Sequence, residues 1–295
     1  MRIFVTGATG FIGSAVVREL IDAGHQVVGL ARSDKSAAAL TAAGADVHHG
    51  TLDDLDSLRS GAAAADGVIH LAFIHDFSNF AAAAETDKLA IEAIGEALEG
   101  SGKPFVVTSG TLTLTPGRLS TEEDAPMPTA HRRSEEAAMV MVKRGVRSSI
   151  VRLSPSVHGP SDYGFIPTLI DIARTKGVSA YIGDGSNRWP AVHRLDAARL
   201  FRMAVENAPA GSRLHAVGDE GVPLRDIADV IGRHLNLPVV SISHEEAADH
   251  FGWISFAASV DNPTSSARTQ ERLGWRPEHA SLISDLEQGH YFKVL

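Results

Sequence analysis

Short apolar runs alternate with segments of helical periodicity through the first half of the chain. The runs are rich in β-branched and aromatic residues, which indicates buried strands, and the segments between them repeat apolar residues every three to four positions. The predicted strands cover residues 3–5, 26–30, 45–48, 67–72, 104–108 and 149–153. The predicted helices begin near residue 12, cover 33–43, 53–60 and 80–98, and include part of 122–144. This alternation predicts an α/β fold with a doubly wound parallel sheet, whose ligand lies outside the carboxyl ends of the strands.

The most informative stretch is the first fourteen residues, MRIFVTGATGFIGS. A strand, a glycine-rich turn and a helix start follow one another there. Gly7 permits the tight turn, Gly10 lets the backbone approach a pyrophosphate, and Gly13 lets the helix pack against its strand. The free amide groups and the positive end of the helix dipole then face the phosphates. This context favours a nucleotide site over an ordinary tight turn.

The spacing T-G-x-x-G-x-x-G resembles the short-chain dehydrogenase/reductase superfamily, in its extended and atypical, NAD(P)-dependent epimerase/dehydratase-like branches. Further similar stretches at 152–160, 183–193 and 262–277 extend the resemblance over nearly the whole chain. It implies a Rossmann domain at 1–154, to which 191–218 adds a helix and a strand, and a smaller C-terminal substrate lobe from 155–190 and 219–295. It also implies cofactor contacts in the glycine-rich turn, at Gly7, Thr9, Gly10, Phe11, Ile12 and Gly13.

The end of the second strand indicates the type of cofactor. NAD-binding members of this fold carry an acidic residue there, whereas this chain has Arg32 and Ser33. An arginine can stack on adenine and form a fork with a 2′-phosphate, and a serine adds a hydroxyl. The alternative is that Arg32 is an ordinary solvated residue at the start of a loop and binds no cofactor. We predict NADP(H) in preference to NAD(H).

The resemblance implies further cofactor contacts at the ends of the later strands. Leu52 and Asp53 match a segment near the adenine, although Asp53 or Asp54 also suits a helix N-cap. The remaining implied contacts lie in segments that pass the ribose, the phosphates and the nicotinamide amide. They are Leu71, Ala72, Phe73, Thr108, Pro155, Ser156 and Val157.

The catalytic pattern departs from the superfamily. Its members use a Ser or Thr after the fifth strand, a Tyr-x-x-x-Lys pair on the next helix and an Asn on the preceding helix. Here Gly110 takes the place of the hydroxyl residue, with Ser109 and Thr111 nearest to it, and Asp87 takes the place of the Asn. His131 and Glu135 stand in the places of the Tyr and the Lys.

These departures suggest an alternative acid. Residues four apart share one helix face, and a carboxylate beside imidazole favours its protonated form. His131, kept protonated by Glu135, would donate to a carbonyl oxygen receiving hydride, and Thr111 would orient that oxygen. Glu135 could instead accept from ribose hydroxyls. The alternative for both residues is an ordinary solvated helix face.

Composition narrows the classes of partner. The net charge is −9 and no basic run is present, which argues against nucleic acid and anionic membranes. There is no cysteine for disulfide or thiolate chemistry, and the fourteen histidines form no metal-binding motif. No signal peptide or membrane span is predicted. We expect a cytoplasmic protein, a monomer or a homodimer, that acts on a small molecule.

The leading hypothesis is an NADP(H)-dependent oxidoreductase that transfers hydride to or from a small carbonyl or hydroxyl substrate. A sugar-nucleotide epimerase or dehydratase is the second hypothesis, although that chemistry relies on the missing Tyr/Lys pair. A non-catalytic NADP(H)-binding regulator is the third.

Overall fold

The central element of the fold is a seven-stranded parallel sheet. The computed structural model describes residues 1–75 and 79–293. The strands of the sheet are β1 (Arg2–Thr6), β2 (Gln26–Ala31), β3 (Asp46–His49), β4 (Gly67–His70), β5 (Pro104–Gly110), β6 (Arg147–Leu153) and β10 (Arg213–Ala216). They lie in the order β3-β2-β1-β4-β5-β6-β10, and every neighbouring pair is parallel. The order reverses between β1 and β4, where such sheets bind ligands.

Helices cover both faces of this sheet. They are α1 (Phe11–Asp22), α2 (Asp34–Ala42), α3 (Leu55–Ala63), α4 (Phe80–Ala97), α5 (Ser134–Lys143) and α7 (Arg194–Asn207). Ile3 and Val5 belong to the core formed with α1 and α7, whereas Phe4 belongs to the core formed with α3, α4 and α5. Successive strand side chains point to opposite faces, so β1 is buried on both.

Most of the remaining elements form a smaller lobe with its own core. They are β7 (Ser156–His158), α6 (Phe165–Lys176), β8 (Ser179–Ile182), β9 (Arg188–His193), β11 (Asp219–Pro223), α8 (Leu224–Leu235), β12 (Val239–Ile242), α9 (Ala247–Phe251), α10 (Ser255–Ser259) and α12 (Leu282–Glu287). The helix α11 (Ala267–Leu273) lies instead against the central sheet, where Thr269 accepts a hydrogen bond from the amide of His215 at 2.7 Å.

All six strands predicted from the apolar runs are present, with bounds that differ by one or two residues. The α/β class and the doubly wound parallel sheet are confirmed. The important difference concerns α5, which begins only at Ser134. The chain before it forms a turn, in which the amide of Ala130 donates to the carbonyl oxygen of Met127 at 2.9 Å, so His131 precedes the helix. Across the described part of the chain, no helix combines the length and apolar character needed to span a bilayer.

Candidate cofactor and active site

The turn between β1 and α1 has a geometry that requires its glycines. Gly7 has a φ of +67°, and a Cβ at this position would lie 2.7 Å from the backbone nitrogen of Ala72. A Cβ on Gly13 would collide with the carbonyl oxygen of Gly7. Gly10 is the N-cap residue of α1 and has no side chain with which to cap this helix. The first-turn amides of α1 therefore lack an N-cap acceptor, which fits a site for the pyrophosphate of a dinucleotide.

A loop of the smaller lobe lies over this turn. The hydroxyl of Tyr163 accepts a hydrogen bond from the amide of Phe11 at 3.4 Å, and the two rings meet edge to face with centroids 5.9 Å apart. Arg194 places its guanidinium carbon 4.9 Å from the centroid of the Phe11 ring. Tyr163 is 71% exposed, so little packing holds its hydroxyl in this position.

The residues predicted to bind the adenosine part of a cofactor lie at the ends of β2 and β3. Arg32 directly follows β2 and is exposed. Ser33 is the N-cap of α2, where its hydroxyl accepts from an amide of the first turn. Asp54, not Asp53, caps α3, and Asp53 is exposed. Leu52 packs against the core beneath α3. Arg32 therefore remains the candidate for contact with a 2′-phosphate.

The segment after β4 runs beside the glycine-rich turn. The amide of Leu71 donates to the carbonyl oxygen of Thr6 at 3.3 Å, and the amide of Ala72 donates to the Thr6 hydroxyl at 3.2 Å. Phe73 follows, partly buried. These bonds fix the predicted ribose and phosphate segment against the turn.

Ser156, at the start of β7, carries an unsatisfied polar group. Its hydroxyl oxygen is buried and has no hydrogen-bond partner among the residues that the structure describes. Buried hydroxyls are normally paired, so this one keeps an unused hydrogen-bonding capacity. Its neighbours Pro155 and Val157 are partly buried. A carboxamide could use that capacity, and the contact of this segment with the nicotinamide amide stays a prediction.

The hydroxyl residues at the end of β5 differ in their availability. The Thr108 hydroxyl donates to the carbonyl oxygen of His70 at 2.7 Å. Thr111 has an exposed fraction of 0%, and its hydroxyl donates to the side-chain oxygen of Asn262 at 2.8 Å. The prediction that Thr111 orients the substrate is therefore wrong, because this hydroxyl is buried and already bonded. Ser109, 3% exposed, lies between them.

The predicted pair of His131 and Glu135 is also wrong. Because α5 begins at Ser134, the two residues do not share a helix face; His131 is exposed, whereas Glu135 is 5% exposed. Glu135 accepts two hydrogen bonds from Arg152, at 2.7 and 2.8 Å, and one from Arg213 at 3.3 Å. Its charge is therefore balanced by arginines, not by a histidine.

Arg152 is fully buried and bonds protein groups through all three of its guanidinium nitrogens. Besides Glu135, it donates to the carbonyl oxygen of Asp124 at 2.8 Å and to His215 at 3.1 Å. Burial lowers the pKa of His215 to about 4, so this ring is neutral near pH 7. Its Nδ1 then donates to the carbonyl oxygen of Ser265 at 2.7 Å, and its Nε2 accepts from Arg152. We conclude that this cluster is structural.

Asp87, in the place of the superfamily's Asn, lies in a second buried network. It is 1% exposed and accepts a hydrogen bond from Ser134 at 2.5 Å, while His70 Nε2 lies 3.2 Å from its other oxygen. The opposite ring nitrogen of His70 lies 2.9 Å from the Thr6 hydroxyl. The network therefore extends from beneath the glycine-rich turn to the start of α5, where it reaches Arg132.

Sequence reasoning missed Arg132. The available signal was the carboxylate at position 87, because a buried aspartate in place of an amide needs a cationic partner. No histidine, aspartate or glutamate cluster suited to a metal ion occurs within residues 1–75 and 79–293.

Comparison with known proteins identifies the class. The NAD dependent epimerase/dehydratase family matches residues 3–217, so the chain belongs to that family. This confirms the resemblance drawn from the glycine spacing. The solved structure of the dTDP-glucose 4,6-dehydratase DesIV from Streptomyces venezuelae, which has NAD and TYD bound, superposes with a TM-score of 0.79 at 19% identity. The match covers 99% of this chain and 97% of that one, and it shows a shared fold.

Relatives of greater sequence similarity cover nine-tenths of the chain or more. The uncharacterised protein C2A9.02 of Schizosaccharomyces pombe is 54% identical over 99% of this chain and 100% of its own length. The uncharacterised protein YLL056C of Saccharomyces cerevisiae is 46% identical over 98% of this chain and 99% of its own. A 4-hydroxy-2-methyl-3-oxo-4-farnesyl-3,4-dihydroquinoline-1-oxide ketoreductase of Stigmatella aurantiaca is 26% identical over 90% of this chain and 84% of its own.

Proposed function

We propose that the protein is an NADP(H)-dependent oxidoreductase that transfers hydride to or from a small carbonyl or hydroxyl substrate. The observation that carries this proposal is the start of α1, whose N-cap is a glycine without a side chain, behind a turn that requires glycine at positions 7 and 13. Such a site binds a pyrophosphate through backbone amides. The ketoreductase relative supports carbonyl chemistry in particular.

The residues divide among the parts of such a cofactor. The glycine-rich turn holds the pyrophosphate, Arg32 binds the 2′-phosphate, and the Ser156 hydroxyl bonds the carboxamide. When bound, the nicotinamide supplies or accepts the hydride. With Thr111 and Glu135 bonded elsewhere, Ser109 is the remaining hydroxyl of the predicted set. We expect Ser109 to bond the substrate oxygen while water supplies the proton.

The test combines binding and turnover. NADPH and NADH are titrated against the purified protein, and NADPH oxidation is then followed with a panel of small ketones and aldehydes. We expect tighter binding of NADPH and turnover of at least one carbonyl class. Failure of the protein to bind either cofactor would overturn the proposal. Binding without turnover of any carbonyl or alcohol would favour the regulator.

Arg32→Ala tests the preference for NADP(H). A charge-assisted hydrogen bond to a phosphate contributes about 1.5–3 kcal/mol, so NADPH affinity should fall at least about tenfold. NADH affinity should change little, because NADH lacks the 2′-phosphate. Lys35→Ala, a nearby exposed cation on α2, is the matched control. Equal losses for both cofactors would contradict the assignment of the 2′-phosphate to Arg32.

An epimerase or dehydratase is the second candidate, because the family to which the chain belongs includes such enzymes by description. These reactions return the hydride to the substrate, so they need a cofactor that stays bound. Isolation of the protein with a dinucleotide that survives gel filtration would favour this candidate. Exchange of the cofactor within each turnover would favour the oxidoreductase.

A further inference from the structure

The Arg132 side chain contacts residues near the carboxyl ends of β4 and β5. Its guanidinium carbon lies 4.3 Å from the centroid of the Phe73 ring, and its Nη2 donates to the carbonyl oxygen of Thr108 at 3.0 Å. Phe73 lies shortly after β4, and Thr108 lies near the end of the neighbouring parallel strand β5. Ligands of this fold lie beyond such strand ends. The side chain of Arg132 is 17% exposed, so it is packed but still reaches solvent.

The position of this arginine is fixed from behind. Its Nε donates to the Ser134 hydroxyl at 2.7 Å, and the Ser134 hydroxyl donates to Asp87 at 2.5 Å. Nε and Nη2 also lie 3.4 and 3.5 Å from the Asp87 oxygens. Burial disfavours the charge on Asp87, but Arg132, His70 and Ser134 outweigh it and lower the pKa of this carboxyl. Arg132 is thus a fixed cation on a buried anionic support.

Two departures from the superfamily pattern compensate each other in this pair. An aspartate replaces the helical Asn, and an arginine lies within the stretch that replaces Tyr-x-x-x-Lys. A buried carboxylate without a cation would be strongly destabilising, as would an arginine packed there without an anion. The bonds described use Nε and Nη2, and the described residues offer Nη1 no acceptor. Nη1 is therefore a donor for a ligand oxygen.

We propose that Arg132 binds the hydroxyl groups of the nicotinamide-side ribose, and that Asp87 is the residue that positions it. The proposal rests on the proposed function, because it requires a dinucleotide on the glycine-rich turn. Arg132 lies beside Phe73 and Thr108, which are themselves predicted cofactor contacts. An arginine remains protonated throughout the physiological range, so Arg132 holds the cofactor and does not act as the acid.

The experiment separates the two ends of the cofactor. NADPH contains the nicotinamide riboside, whereas adenosine 2′,5′-bisphosphate ends before it. Both are titrated by calorimetry against the wild type and the double variant Arg132→Ala with Asp87→Asn, which leaves no unpaired buried charge. NADH and ADP are the corresponding pair if the wild type prefers NADH. Arg133→Ala is the matched control, because Arg133 is adjacent and exposed, and its ion pair with a described residue is the one with Glu136 at 3.2 Å.

We expect the double variant to bind the whole cofactor about tenfold to a hundredfold more weakly and the fragment within twofold of the wild type. Arg133→Ala should change neither. Asp87→Asn alone should weaken cofactor binding by a smaller factor, because the arginine stays but loses its support. Unchanged cofactor binding, or equal losses for cofactor and fragment, would overturn this role of Arg132 while leaving the proposed function intact. A wild type that binds neither would overturn both.

Discussion

The two halves of the sheet's carboxyl edge are built in different ways. At the ends of β1, β2 and β3 the backbone defines the site: Gly7 has a positive φ, the N-cap of α1 is a glycine without a side chain, and Arg32 is exposed. At the ends of β4, β5 and β6 the site is defined by buried charged side chains, among them Asp87 and Arg152. The first half should therefore be sensitive to an added Cβ, and the second to the loss of a charge.

The second half contains two ion pairs that differ in what they leave free. Arg152 is fully buried, and Glu135, Asp124 and His215 accept from all three of its nitrogens. Arg132 is partly exposed, and its bonds to described residues use two of its nitrogens. A fully buried pair whose nitrogens are all bonded holds the fold together, whereas a partly exposed pair with an unbonded nitrogen is available for a ligand.

Arg152→Met should give the largest effect, on stability. Removal of one partner of a buried ion pair costs about 3–5 kcal/mol, and this substitution leaves Glu135 with Arg213 alone. Urea denaturation would show the loss as a lower midpoint. Arg213→Met is the control: it removes a partly exposed partner of the same carboxylate and should cost about 1 kcal/mol or less. Equal losses of unfolding free energy in the two variants would show that burial does not distinguish the two arginines.

The same difference explains what the sequence could and could not predict. The glycine spacing places Gly7, Gly10 and Gly13 in one turn, because backbone requirements act between near neighbours. The bonds from Glu135 to Arg152 and from Asp87 to Arg132 join residues far apart in the chain. Their partners depend on the packing of α4 and α5 and on where α5 begins. The apparent His131–Glu135 spacing was misleading because His131 lies before the start of α5.

Gly10→Val should give the next largest effect, on cofactor binding. Gly10 has a φ of −74° and a ψ of 175°, which a valine adopts, and a Cβ there would lie 3.2 Å from the Gly7 carbonyl oxygen. The fold should survive, while the side chain fills the space that a pyrophosphate must enter. We expect at least a hundredfold loss of NADPH affinity, with the circular dichroism spectrum unchanged. Gly10→Ala should lose less, and native affinity in the valine variant would place the phosphate site elsewhere.

Tyr163→Phe should give the smallest effect, and it should raise the NADPH affinity that Gly10→Val lowers. In the structure the Tyr163 hydroxyl accepts a hydrogen bond from the Phe11 amide, which is one of the groups that the pyrophosphate is proposed to use. This hydrogen bond is long and exposed, so its net contribution lies at the low end of about 0.5–1.5 kcal/mol. Its removal leaves the amide free for the cofactor, while the edge-to-face contact with Phe11 remains. NADPH should therefore bind up to about threefold more tightly by calorimetry.

Tyr181→Phe, on β8 in the smaller lobe, is the control and should leave NADPH affinity unchanged. Weaker binding by Tyr163→Phe would show that the hydroxyl stays with the cofactor as a ligand instead of competing with it.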